Sequence, residues 1–221
     1  MIDAEAQRAR WRSELDQGLG EMRLALDNQR QGVLVAYLAL LMKWNRAYNL
    51  TAVRDPVVAV SRQLLDSLAV LPLLSGTRML DLGSGAGLPG IPVAIARPDV
   101  HVTLLDANSK KCRFMEQAKL ELQLANISVV CARVERFQPD CAFDLILSRA
   151  FAALPEIFRL ASHLLKAEGG MLALKGKVPH QELVRLADQG VRSKVFPLKV
   201  AGTEGSRTAV RLWRDREGES E

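Results

Sequence analysis

The chain has 221 residues, 48% hydrophobic and 25% charged, enough to bury the core of one sizeable α/β domain with an appendage and too apolar for a disordered chain. Its longest uncharged run in the first helical region, Gln31 to Met42, is too short to cross a bilayer, and the opening MIDAEAQRARWR has no apolar segment for secretion, so a cytoplasmic protein is expected. A formal net charge of +5 makes a nucleic-acid partner more plausible than an acidic surface would, while Cys112, Cys131 and Cys141 lack C-x-x-C spacing and read as buried thiols, and His101, His163 and His180 are too scattered to hold a metal.

Residues 4–17 read as a strongly charged, solvated peripheral helix. Gln31 to Arg46 follows as an amphipathic helix, with Leu34, Tyr37, Leu38, Leu41 and Met42 at three- and four-residue spacing. Trp44 to Thr51 reads as a polar-aromatic connection. Asp55-Pro56 then predicts the cap and first-turn proline of a helix carrying Val57, Val60, Leu64, Leu68 and Leu71. Residues 1–74 are thus expected to be a helical extension docked on a cofactor-binding domain at 75–221.

From residue 78 strands and helices alternate. Strands are predicted at 78–83, 101–106, 127–131, 143–148 and 170–175, with helices at 89–96, 109–124, 154–166 and 179–189. Such alternation predicts a mostly parallel sheet covered on both faces. The apolar pieces at 195–201 and 207–213 have no helix between them and read as an antiparallel hairpin.

Within the first strand unit, RMLDLGSGAGLPG at residues 78–90 runs an apolar strand into glycines at 83, 85 and 87. Bare main chain at this spacing lets a ligand come very close, and Pro89-Gly90-Ile91-Pro92 opens a helix whose free N–H groups face the turn. A dinucleotide fingerprint would need glycine where Leu88 stands, and a phosphate-binding loop would need lysine at Ile91. The pattern acid-x-Gly-x-Gly-x-Gly, Asp81 to Gly87, resembles instead the first motif of S-adenosylmethionine-dependent methyltransferases. Asp106, ending the next strand, sits where a ribose-binding carboxylate is found in a βαβ nucleotide unit.

Longer signatures narrow the resemblance. They are Trp44-Asn45-x-x-Tyr48-Asn49-Leu50-Thr51, Asp81 to Pro92, Leu104-Leu-Asp106, Arg133-Val-Glu135, Ser148-Arg-Ala-Phe151 and Ala173-Leu-Lys-Gly176. Together they resemble the bacterial small-subunit ribosomal RNA 7-methylguanosine methyltransferases, the glucose-inhibited division protein B family. One departure is Gln63, which stands where that family's His-x-Leu-Asp-Ser pattern has histidine.

The resemblance implies an α/β, Rossmann-like seven-stranded methyltransferase fold and methyl transfer from S-adenosyl-L-methionine to N7 of a guanine in 16S ribosomal RNA, guanine 527 of the 530 loop. The ribosomal RNA would be met within a small-subunit particle or its precursor. Cofactor contacts are expected from Asp81, Gly83, Gly85, Gly87, Leu88, Asp106, Val134, Glu135 and Arg149. Arg149 and Lys175, at the ends of the fourth and fifth strands, are expected to face the transfer pocket together and act by orientation rather than proton transfer. Arg46, Tyr48, Arg62, Lys110, Lys175 and Arg207 are candidate RNA contacts by their placement in the extension or near strand ends, with Arg54, Lys111, Arg149 and Lys177 beside them. No metal is implied. A small-molecule methyltransferase and a noncatalytic RNA-binding module are the alternatives that the sequence leaves open.

Overall fold

Strand β1 (Arg78–Leu82) is buried from its second residue onward, as an apolar strand covered on both faces must be. It sits inside a seven-stranded sheet of order β3-β2-β1-β4-β5-β7-β6 in the computed structural model, which describes residues 4–149 and 152–214. Strands β2 (His101–Asp106), β3 (Ile127–Cys131), β4 (Phe143–Arg149) and β5 (Leu165–Lys175) run parallel with β1. The hairpin of β6 (Arg192–Leu198) and β7 (Arg207–Trp213) is antiparallel, with β7 inserted beside β5. Strand order reverses between β1 and β4, and the carboxyl ends of the strands at such a reversal are where open α/β sheets bind ligands.

The alternation of side chains along each strand separates two cores. Met79, Leu104, Leu145, Leu147 and Leu174 face one side, against helices α4 (Gly90–Ala96) and α5 (Ser109–Glu121) and the N-terminal helices. Leu80, Leu105, Ile146, Met171 and Ala173 face the other, against α6 (Leu154–Ala161) and α7 (His180–Ala187).

Helices α1 (Ala4–Met22) and α2 (Asn28–Tyr48) contribute to the first core directly. α1 is longer than its charged sequence predicts and is not wholly solvated, because Trp11, Leu15 and Leu19 form a stripe that is 4%, 0% and 2% exposed. α2 is capped by Asp27, whose Oδ1 accepts from the Arg30 N–H at 2.7 Å, and stops at Asn49, which adopts φ 50°. Trp44 and Tyr48 therefore lie on the last turns of a helix rather than in a connection.

Asp55 does accept from the Val57 N–H at 2.9 Å, yet the chain only turns there and Val57 is 52% exposed. The helix begins later, as π-helical turns at Val60–Leu65 that run into α3 (Asp66–Leu68). The predicted helix at 154–166 ends at Ala161, and a 3₁₀ turn at Ser162–Leu164 leads into a β5 that starts at Leu165 instead of residue 170, because Leu165 pairs with Phe143 before the ladder shifts register. β6 begins earlier than expected for the same reason, since Arg192 pairs with Trp213. Of the thiols only Cys112 is buried; Cys131 and Cys141 are exposed. Among the described residues no helix is long and apolar enough to cross a membrane.

Candidate cofactor and transfer site

The turn after β1 is built from glycine backbone that other residues rarely adopt: φ is 69° at Gly83, 60° at Gly85 and 82° at Gly87. The Gly83 and Ser84 N–H groups both donate to the Leu105 carbonyl, at 2.9 and 3.1 Å, which stitches the turn to the end of β2. The Gly87 and Leu88 N–H groups donate back to the Ser84 carbonyl. Leu88 itself is buried beneath the turn.

The glycines differ in what they exclude. A side chain at Gly87 would overlap Ile91, so that glycine is required by packing. At Gly85 an added Cβ would meet nothing closer than 3.9 Å, namely the Gly83 carbonyl oxygen and Lys111 Nζ. Space for a ligand therefore lies over Gly85.

Two carboxylates flank that space. Asp106 accepts the Gly85 N–H at 2.8 Å through Oδ2 and the Asn108 N–H at 2.8 Å through Oδ1, with Lys111 Nζ 3.8 Å from Oδ2. A carboxylate has about four acceptor positions, so both oxygens keep capacity for a diol. Asp81 is fully buried beneath the turn; its Oδ2 accepts the Gly90 N–H at 2.8 Å, while Oδ1 has no hydrogen-bond partner among the described residues. Burial pushes the Asp81 carboxyl up to about 7, against the lowering pull of the Gly90 N–H and of the Arg149 charge. An incompletely compensated carboxylate beneath an open glycine turn suits a cationic ligand with a ribose, which is the chemistry of S-adenosylmethionine.

The remaining adenine-side candidates lie beyond β3. Val134 is buried in the second core within the 3₁₀ turn Val134–Arg136, and Glu135 beside it is exposed.

Arg149 extends from the end of β4 on the same face as Asp81 and Asp106, since it shares the alternation of Leu145 and Leu147. Its Nη1 donates to Asp66 Oδ2 at 3.1 Å and to the Arg62 carbonyl at 3.4 Å, and its Nη2 donates to Gln63 Oε1 at 3.3 Å. Arg207 Nε occupies the other oxygen of Asp66, at 2.9 Å. Gln63 is 1% exposed and donates through Nε2 to Thr51 Oγ1 at 2.8 Å; the Thr51 N–H donates to Asn45 Oδ1 at 2.9 Å. Stretches that stand a hundred residues apart in the chain, Asn45 to Thr51, Gln63 to Asp66 and Arg149, are thus joined in one hydrogen-bonded network.

Lys175 does not share that pocket with Arg149. Leu174 is the register partner of Arg149, so Lys175, one residue further, points to the opposite side of the sheet. There Nζ donates to the Ala152 carbonyl at 3.1 Å and to Glu182 Oε2 at 3.4 Å, and the same Glu182 oxygen caps the Leu154 N–H of α6 at 2.5 Å. Among the RNA candidates Arg46, Tyr48, Arg62 and Lys110 are exposed, with the Tyr48 ring tilted by 31° against that of Trp44 at a centroid distance of 5.2 Å, whereas Arg207 is half-buried on Asp66. Ala150 and Phe151 of the Ser148 signature lie outside the described residues.

Two supports escaped sequence reasoning. Tyr37 is fully buried and its hydroxyl donates to the Ala86 carbonyl at 2.7 Å, fixing the glycine turn to α2 across 49 residues of chain. In the sequence it counts only as one apolar-face position of an amphipathic helix. Asp66, the hinge of the Arg149–Arg207 clamp, was visible only as a letter in the Gln63-Leu-Leu-Asp66-Ser67 pattern.

Comparisons with known proteins give the family and the fold. The GidB family model, described as rRNA small subunit methyltransferase G, matches residues 30–210. Proteins named ribosomal RNA small subunit methyltransferase G are 52% identical in Stutzerimonas stutzeri, over 91% of this chain and 94% of that protein, and 51% identical in Laribacter hongkongensis, over 91% and 97%. A solved precorrin-6y C5,15-methyltransferase from Geobacter metallireducens shares the fold at 18% identity and TM-score 0.53, covering 76% of this chain and 93% of that one. A glycopeptide N-methyltransferase complexed with S-adenosyl-L-methionine does so at 11% identity and TM-score 0.61, covering 70% and 88%.

Proposed function

Because the chain belongs to the family of small-subunit ribosomal RNA methyltransferase G, an S-adenosylmethionine-dependent enzyme family, we propose that it methylates N7 of a guanine in 16S ribosomal RNA, guanine 527 by family resemblance, in the cytoplasm. The observation that carries this proposal is the network from Asn45 through Thr51 and Gln63 to Arg149, which joins the family's distinctive segments on the sheet face that also carries Asp81 and Asp106.

S-adenosylmethionine supplies a methyl group on a positively charged sulfur, which an in-plane lone pair such as that of guanine N7 can accept without losing a proton. The chain therefore has to bind, orient and exclude rather than deprotonate. Asp106 would hold the ribose hydroxyls with the acceptor capacity left by Gly85 and Asn108. Asp81 would complement a cationic ligand through the oxygen that has no partner among the described residues. Val134 and Glu135 would meet the adenine. Arg149 is held by Asp66 and Gln63 so that its fork is fixed in direction, and a fixed guanidinium is suited to a carboxylate or phosphate beside the reacting atoms. Pressed against the guanine plane it would oppose the charge arriving there, so its role is orientation from the side. Lys175 acts at one remove, bracing α6 and α7 through Ala152 and Glu182.

Labelled methyl transfer to RNA from cells lacking the protein, followed by mapping of the modified base, tests the proposal. We expect one N7-methylated guanine in 16S ribosomal RNA and faster transfer to a small-subunit particle or precursor than to naked RNA. Transfer to free guanosine derivatives with none to RNA would replace this function with a small-molecule one.

A further inference from the structure

A second concave surface lies outside the transfer pocket. Between α1, the C-terminal half of α2 and the segment at residues 54–56 there is a cavity of about 800 Å³. Four cations reach it from three separate parts of the chain, Arg8 from α1, Lys43 and Arg46 from α2, and Arg54 from the following segment. No Asp or Glu is among the described residues that line it, and none of the four cations is in an ion pair among the described residues.

The walls are held in place. Trp11 Nε1 donates to the Pro56 carbonyl at 2.8 Å, which ties α1 to the far rim, and Arg54 Nη2 donates to Asn49 Oδ1 at 2.7 Å, a neutral partner that leaves its charge uncompensated. Trp11 is only 4% exposed, so it forms a floor rather than a stacking platform. Four cations over an apolar floor with no acid in the lining suit a chain of phosphates, whose contacts come from Lys and Arg and are insensitive to base identity.

The groove is tied to the proposed site through a partly buried hydrogen-bond chain. Asn45 lines it and also accepts the Thr51 N–H, from which Gln63 leads to Arg149. We propose that this groove holds a phosphate-bearing segment of the RNA substrate flanking the methylated guanine. The inference rests on the chain's acting on ribosomal RNA.

Arg8→Gln combined with Lys43→Gln tests it in the full chain. The probe is 16S ribosomal RNA from cells lacking the protein, titrated across a KCl series. Two lost single-strand phosphate contacts make the slope of log affinity against log salt shallower by about 1.4, at about 0.7 each. Melting temperature and cofactor affinity serve as folding controls. Arg113→Gln with Lys194→Gln removes equal charge from elsewhere and leaves the slope as in the wild type. An unchanged slope in the groove variant overturns the proposal. So does an equal change in both variants, which would indicate a diffuse field, or weaker binding to ribosomal particles with unchanged binding to naked RNA, which would assign the groove to a protein surface. If wild-type protein binds RNA through the groove yet transfers no methyl to it, the enzymatic function fails and the groove stands.

Discussion

Gly85 separates ligand space from packing space at the scale of one residue. A Cβ at Gly85 would meet no atom beyond its chain neighbours closer than 3.9 Å, and a branched residue there adds the strain of φ 60°, about 1 to 3 kcal/mol. Gly85→Val is expected to fold and to lose cofactor binding in calorimetric titration; a folded variant with wild-type affinity would remove the turn from the site. Asp106→Ala is expected to weaken cofactor binding by about 1.5 to 3 kcal/mol, as for a hydrogen bond to a charged acceptor, and an affinity within about twofold of wild type would sink the ribose role. Asp81 behaves differently, because its carboxyl is raised from 3.8 to about 7 on folding. A carboxyl raised on folding favours the native state fully below its unfolded value, and that contribution is lost as pH rises through the folded value. The cofactor-free wild type should therefore lose stability relative to Asp81→Asn between about pH 4 and pH 7, since asparagine keeps an acceptor for the Gly90 N–H and does not ionise. Melting curves of both proteins across that range check it, and parallel curves would refute the shift.

Among the elements, β4 and β5 carry their terminal cations to different tasks although both end at the same edge of the sheet. Arg149 joins the face that holds Asp81 and Asp106, and Lys175 joins α6 to α7 on the other. Lys175→Met should lower the melting temperature, by about 1 kcal/mol of stability for the lost hydrogen bonds, and leave the salt slope of RNA binding as it was. A slope reduced by about one unit would instead return Lys175 to an RNA phosphate. α2 is the element with the widest reach, since Tyr37 secures the glycine turn, Asn45 starts the chain to Arg149, and Lys43 and Arg46 border the basic groove.

For the whole molecule, one apolar cluster runs from Trp11 and Leu38 through Leu64 to Met79, Leu104 and Leu147. The extension thus shares the covering of one face of the sheet with α4 and α5, and residues 75–221 alone would expose the part of that cluster that packs on α1 and α2 to water. Expressed separately, that fragment should show no cooperative thermal transition; a sharp one would make the catalytic unit independent of the extension.

Local sequence determined most elements of this protein and the chemistry of its turn. The alternation after residue 78, the glycines of the turn and the acids at the ends of β1 and β2 are short-range patterns, because backbone freedom and strand burial are set by neighbouring residues. Helix starts that depend on distant contacts were less legible: Asp55-Pro56 has the letters of a cap, yet the helix begins at Val60 where buried partners are available. The charged α1 hid a buried stripe for the same reason. Only the tertiary structure decided which side of the sheet receives Arg149 and which Lys175, that Tyr37 holds Ala86, and that Asp66 clamps Arg149 with Arg207. The Tyr37 and Asp66 contacts join residues 49 to 141 positions apart, and such pairings follow from strand order and register rather than from any local pattern of residues.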